Sequence, residues 1–304
     1  MVADVGLPGQ RSEGWRLSAP RRLFDALAAF GWAAPGMDDV EGPVSPGFDA
    51  LNAWLATSGE TPGAVAVRRR SVVAADGARV ERQLEGPRVD VVHIDVPAGA
   101  TVDLVDVFRG EAPAFVRVQA DIGKGATVRW HGAGLGTGHV RVEVVARVGE
   151  RATFATRWAA LAGPGARYDV QVEAHHVGAR SVSDLLVRGV VCPRGNSTVV
   201  ASVRVPEQVP GCDARQHLAH LLLGEGAIAA VEPRLDIQCD EVACTHGATV
   251  GALDEESRFF LRSRGLTDAA ASELLVDGFV REVLQPSAVD EAAAWLVKHV
   301  RGRS

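Results

Sequence analysis

The side chains with chemistry to offer gather in the second half of the chain. His175 and His176 are adjacent, His217 and His220 stand three apart beside a run of leucines, and Cys239, Cys244 and His246 follow. In Cys244-Thr245-His246 the thiol and the imidazole are two residues apart, so in an extended segment both point to one face. A thiolate and an imidazole on one face could hold a soft metal such as iron or zinc. Two donors do not close a site, so others must come from elsewhere in the chain or from another chain. Against this, an isolated Cys-x-His recurs by chance, and a buried cysteine is often an inert small apolar residue. His217 and His220 read as packed, hydrogen-bonded imidazoles. His175 and His176 point to opposite faces of a strand, so at most one serves any given site.

Other chemistries lack their frames. Asp121-Ile-Gly-Lys-Gly-Ala-Thr127 contains Gly-Lys but not the spacing of a phosphate-binding loop, and reads as a turn. There is no Gly-x-Ser-x-Gly elbow and no His-Glu-x-x-His. The formal net charge is −6, from 32 basic and 38 acidic residues, which gives no footprint for nucleic acid or an anionic membrane. Four cysteines in 304 residues are too few for a disulfide scaffold. The start of the chain does not read as a signal peptide, and no apolar run approaches the ~18 residues of a membrane span, so the expected compartment is the cytoplasm.

Three stretches must position these residues. Residues 1–60 read as a short helical region, with helices over Ser18–Phe30 and Phe48–Ala56. Residues 61–256 read as a β core and residues 257–304 as a helical end. In the core, apolar residues alternate with polar ones: Val89/Val91, Val102/Leu104, Val116/Val118, Val128/Trp130 and Val140/Val142/Val144. Gly99-Ala100-Thr101-Val102 is echoed by Gly125-Ala126-Thr127-Val128 and then, at the same offset, by Arg151-Ala152-Thr153-Phe154. Val92, Val118 and Val144 keep that register, as do Val96, Ile122 and Val148. A looser echo is Gly178-Ala179-Arg180-Ser181. Apolar positions at fixed period predict stacked β units, each burying its face on the next: a β-solenoid, or β-helix. The alternative is a meandering sandwich with similar hairpins. Downstream, Thr267 caps a helix bearing Leu275, Phe279 and Val283 before Pro286 stops it, and a last helix over 288–300 aligns Val289, Ala293, Leu296 and Val300.

The block Arg234-Leu-Asp-Ile-Gln-Cys-Asp-Glu-Val-Ala-Cys244-Thr-His246-Gly-Ala-Thr-Val-Gly251, with Phe259-Phe-Leu-Arg-Ser-Arg-Gly-Leu266 after it, closely resembles the C-terminal signature of the SufB/SufD family of iron–sulfur cluster assembly scaffolds. His175-His-Val-Gly-Ala-Arg-Ser181, Arg188-Gly-Val190, Gln216 with the leucines after it, and Glu13-Gly-Trp15-Arg16 extend the resemblance upstream. Gly247, where SufB proteins carry Glu, places it nearer the SufD branch, as an N-terminally short variant. Leu17 and Phe260 depart from the family's tyrosines.

The resemblance implies a mainly β fold: a right-handed parallel β-helix core with short N-terminal and C-terminal helical regions. It implies a scaffold without catalytic activity that pairs through its β-helix with a SufB-type partner. A SufC-type ATPase would dock on the C-terminal helices. His246, with Cys244 second, would be the interface ligand of iron or of a transient cluster, with nothing stably bound in isolation. Arg264, Gly265, Leu266, Leu274, Leu275 and Phe279 would form the ATPase-docking face. Two alternatives stand beside it. One is a homodimeric scaffold holding iron or a cluster itself. The other is a β-helix enzyme acting on carbohydrate through carboxylates such as Asp103, Asp106 and Glu143.

Overall fold

A computed structural model of the chain describes residues 66–84, 88–109, 113–135, 138–284 and 286–300. The expected helices over Ser18–Phe30 and Phe48–Ala56 lie outside these residues.

The described core is a two-sided parallel β-solenoid. One sheet stacks, in order, β1 (Ala66–Val73), β3 (Arg88–Val96), β5 (Ala114–Ile122), β7 (His139–Val148), β9 (Arg167–His176), β11 (Asn196–Val205) and β13 (Ile228–Ile237). The other stacks β2 (Ala78–Leu84), β4 (Thr101–Phe108), β6 (Thr127–Gly134), β8 (Thr153–Ala162), β10 (Val182–Val191), β12 (Cys212–Leu222) and β14 (Val242–Gly251). The chain alternates between sheets, so each pair of consecutive strands makes one coil.

The repeat seen in the sequence is the strand register. Thr101 pairs with Thr127 and Thr127 with Thr153, Val92 with Val118 and Val118 with Val144, and Val96 with Ile122 and Ile122 with Val148. The coils then lengthen. Thr153 pairs with Val182 and Asn196 with Ile228, each a longer step along the chain than the one from Thr127 to Thr153. This drift hides the later coils from a fixed-period search. The fourth echo is therefore corrected. Gly99, Gly125, Arg151 and Arg180 hold the left-handed turn position (φ 75°, 66°, 54° and 58°), so Arg180-Ser181-Val182, not Gly178-Ala179, matches Arg151-Ala152-Thr153.

The core runs up the middle of the stack. Val116, Val118, Val142, Val144, Val170 and Val172 project from one sheet toward Val128, Trp130, Phe154, Trp158, Leu185 and Val187 of the other. Val89 and Val91 are the exception to the expected alternation. In β3 the inward row is Val92, Ile94 and Val96, so the two earlier valines face outward. A one-residue difference in parity reverses every face of a strand.

Three helices follow: α1 (Glu255–Ser263), α2 (Asp268–Arg281) and α3 (Pro286–His299). Asp254 caps α1 through Ser257 N–H, and Thr267 caps α2 through Ala270 N–H. Pro286 opens α3 rather than ending α2, a first-turn position its missing N–H suits. Val276 and Val280 of α2 and Ala292, Trp295 and Leu296 of α3 pack on Leu161 and Val190, which face outward from the second sheet. No helix among the described residues is long and apolar enough to cross a membrane.

Candidate functional site

Cys244 and His246 lie on β14, the last strand of its sheet. β14 pairs with β12 alone and β13 with β11 alone, so among the described residues the outer edges of both are unpaired and the coil stack is open at this end. In β12, Ala214 and Gln216 are fully buried and face inward; their register partners on β14 are Cys244 and His246. The two donors thus share the inward face, as their spacing predicts, but among the described residues no further coil covers it. Cys244 is half-buried against the core and His246 is exposed. Burial raises the Cys244 thiol above its ordinary value, with smaller upward contributions from Cys212 and Asp213, so a metal must displace its proton.

The other candidates go elsewhere. His176 is buried, bonding Ser181 Oγ through Nδ1 (2.7 Å) and Ser183 Oγ through Nε2 (2.9 Å), while His175 faces out beside Glu173. His220 is buried with Nε2 on Ser197 Oγ at 2.9 Å and Nδ1 without a partner. Burial pulls the His176 and His220 rings down to about 4. His217, three residues from His220 on a strand, lies on the opposite, exposed face, so this pair is not jointly packed as the leucine context predicts. Cys212 and Cys239 belong to the core, and Cys192 lies under the helices. Among the described residues, one group of three possible metal donors lies within 4.8 Å: His93, Asp95 and Asp121. His93 Nε2 meets Asp121 Oδ2 at 2.7 Å and Arg147 Nε meets Asp121 Oδ1 at 3.0 Å, so this group is a half-buried ladder of paired polar groups on the outside of the first sheet.

The carboxylates named for carbohydrate chemistry do not converge. Asp103 is on the outer face of the second sheet, paired with Arg129 at 3.0 Å. Asp106 is inside the coil stack against Arg82 and Trp130. Glu143 is on the outer face of the first sheet against Arg141. Acid–base work on a glycosidic bond needs two carboxyls flanking one bond, and these three face three separate regions.

On the helices, Leu274 is exposed, Leu275 half-buried, and Leu266 and Leu274 line a groove between α2 and α3 with Ala270 and Leu296. Gly265 takes φ 95° after α1, and the Arg264 guanidinium lies 5.2 Å over the Phe260 ring. Phe279 turns inward: it packs on the helix–sheet core with Arg188 5.5 Å over its ring. Among the described residues the most exposed aromatics are Phe259 (71%) and Phe260 (56%) on α1. The sequence reading did not single out either as a docking residue; two adjacent aromatics amid the charges of Glu255, Glu256, Arg258 and Arg262 were the available signal.

A parallel β-solenoid with an open last coil, an imidazole on that coil and a helical tail on one sheet defines the class. The family model for the SUF system FeS cluster assembly SufBD core domain matches residues 57–279, and the chain belongs to that family. It is 32% identical over 100 residues to the iron–sulfur cluster assembly protein SufD of Escherichia coli, an alignment covering 33% of this chain and 24% of that protein. Against a SufBD family iron–sulfur cluster assembly protein of Synechocystis it is 42% identical over 82 residues, covering 27% of this chain and 18% of the relative. Against one of Mycobacterium bovis it is 30% identical over 139 residues, covering 43% and 35%. The matched segments thus span about a third or less of these relatives' own length.

Proposed function

We infer that this chain is a SufD-like scaffold subunit for iron–sulfur cluster assembly, joined through its open coil to a SufB-type partner. The single observation that carries this reading is the position of His246: exposed, on the inward face of a terminal strand whose outer edge is unpaired among the described residues. An unpaired strand edge is a ready template for another chain. A partner strand there would set its own donors beside Cys244 and His246. Thiolate and imidazole suit iron, and ligands split between two chains let a small movement release the cargo. A SufC-type ATPase would dock on the helical tail, where Leu266, Leu274, Phe259 and Phe260 offer apolar surface.

The test is co-expression of the tagged chain with SufB-type and SufC-type proteins of the same cell. Recovery of a ternary complex that takes up iron and sulfide under anaerobic conditions supports the reading, with uptake lost in His246→Ala. Failure to retain either partner rejects it. A coloured product from the chain alone, with His246 needed, gives the homodimeric scaffold instead.

A further inference from the structure

The last closed rung of the solenoid holds a buried group with an unmet valence. Gln216 is fully buried, and its carboxamide nitrogen donates to the carbonyls of Ala201 and Arg234, each at 3.2 Å, tying β12 to β11 and β13 across the core. Its carbonyl oxygen has no partner. Leaving a buried acceptor unpaired costs its full desolvation, so this oxygen calls for a donor. The register names the nearest candidates in its row. On one side of Gln216 along the sheet is Leu185, which has nothing to donate; on the other is His246. The imidazole is exposed, so its ring has room to turn about its side-chain bonds.

We propose that Gln216 is a positioning residue for His246, its Oε1 accepting from the imidazole Nδ1–H. The bond holds the ring in one tautomer and leaves the lone pair on Nε2, the nitrogen farther from the strand, directed away from the closed core. Fixing one ring nitrogen by a hydrogen bond is how metal-binding histidines are commonly oriented. The value of this for iron rests on the function proposed above; the hydrogen bond itself does not, and it is measurable in the isolated chain.

The experiment is a long-range ¹⁵N–¹H correlation spectrum of the full metal-free chain at a pH where the imidazole is neutral, with His246 assigned from the His246→Asn variant. In the wild-type chain His246 is expected as the Nδ1–H tautomer, against the preference of an unconstrained imidazole for Nε2–H. Gln216→Met, of similar length but without an acceptor, is expected to lose the Nδ1–H signal and return the ring to Nε2–H. A predominantly Nε2–H ring in the wild-type chain, as when water satisfies the carboxamide, overturns the proposal without needing any variant to fold. So does an Nδ1–H ring that persists in folded Gln216→Met. Iron uptake failing while the tautomer stands would strike the function proposed above and leave this contact intact.

Discussion

The Trp130 indole donates to Asp106 Oδ2 at 2.9 Å inside the coil stack, on a carboxylate with no exposed surface that also takes both arms of the Arg82 guanidinium, at 2.6 and 2.5 Å. Three donors therefore meet one buried anion. Replacing it leaves a buried indole N–H without its acceptor and a largely buried guanidinium with only the more distant charge of Asp90. Removing one partner of a buried pair costs about 3–5 kcal/mol, mostly through the charge left behind. Asp106→Ala should lower stability by that order, read as a fall in the urea midpoint followed by tryptophan fluorescence. Arg82→Met with Asp106→Leu should recover much of the loss.

Acid should loosen the fold between pH 6.5 and 4. His176 and His220 are held near 4, below their ordinary 6.5, because burial disfavours the charged ring. In that window the unfolded chain binds protons that the native chain does not, so their contribution is complete above pH 6.5 and is lost as pH falls toward 4. Each depression corresponds to ~3 kcal/mol at most. Glu143 acts in the opposite sense: burial raises it to about 6 from 4.5, so it favours the fold as pH falls from 6 to 4.5 and offsets ~2 kcal/mol. Net stability should drop on acidification. Unfolding curves at stepped pH should show a shallower slope for His176→Asn; an unchanged slope contradicts the assignment.

Gly132 is where the second sheet makes room for an aromatic. A Cβ there would sit 1.8 Å from the Trp158 ring, which itself lies 4.9 Å from the Trp130 ring, centroid to centroid. Neither buried indole has space to retreat. Gly132→Ala should cost about 1–3 kcal/mol by overpacking and shift the tryptophan emission. Gly251→Ala, with nothing near the added carbon, is the control and should leave both unchanged.

What the sequence disclosed, and what it hid, follows from the same geometry. The early coils were legible because Thr101, Thr127 and Thr153 stack at constant spacing. Later coils carry extra turn residues, which break the period without breaking the register. Cys244 and His246 could be placed on one face from spacing alone, since strand alternation is local. That this face lies uncovered could not, because it depends on where the stack ends. Gln216 was invisible as a site residue: its neighbour His246 is a whole coil further along the chain and becomes adjacent only through the register of β12 and β14.

The helical tail separates stability from docking, and two phenylalanines can show it. Phe279 packs into the helix–sheet core under the Arg188 guanidinium, which is itself held by Glu282 at 2.6 Å. Phe279→Ala should cost about 2–4 kcal/mol, as other large-to-small changes at packed sites do. Phe259 is 71% exposed on a helix with no buried residue, joined to α2 through Arg258 and Asp268 at 2.5 Å. Phe259→Ser should therefore leave the melting temperature almost unchanged, within the ~0.5 kcal/mol typical of surface substitutions. If α1 contributes to the docking face, the same change should weaken capture of a SufC-type ATPase at least tenfold in a titrated pull-down. Capture unaffected by Phe259→Ser and by Phe260→Ser would move the docking surface to the groove at Leu266 and Leu274.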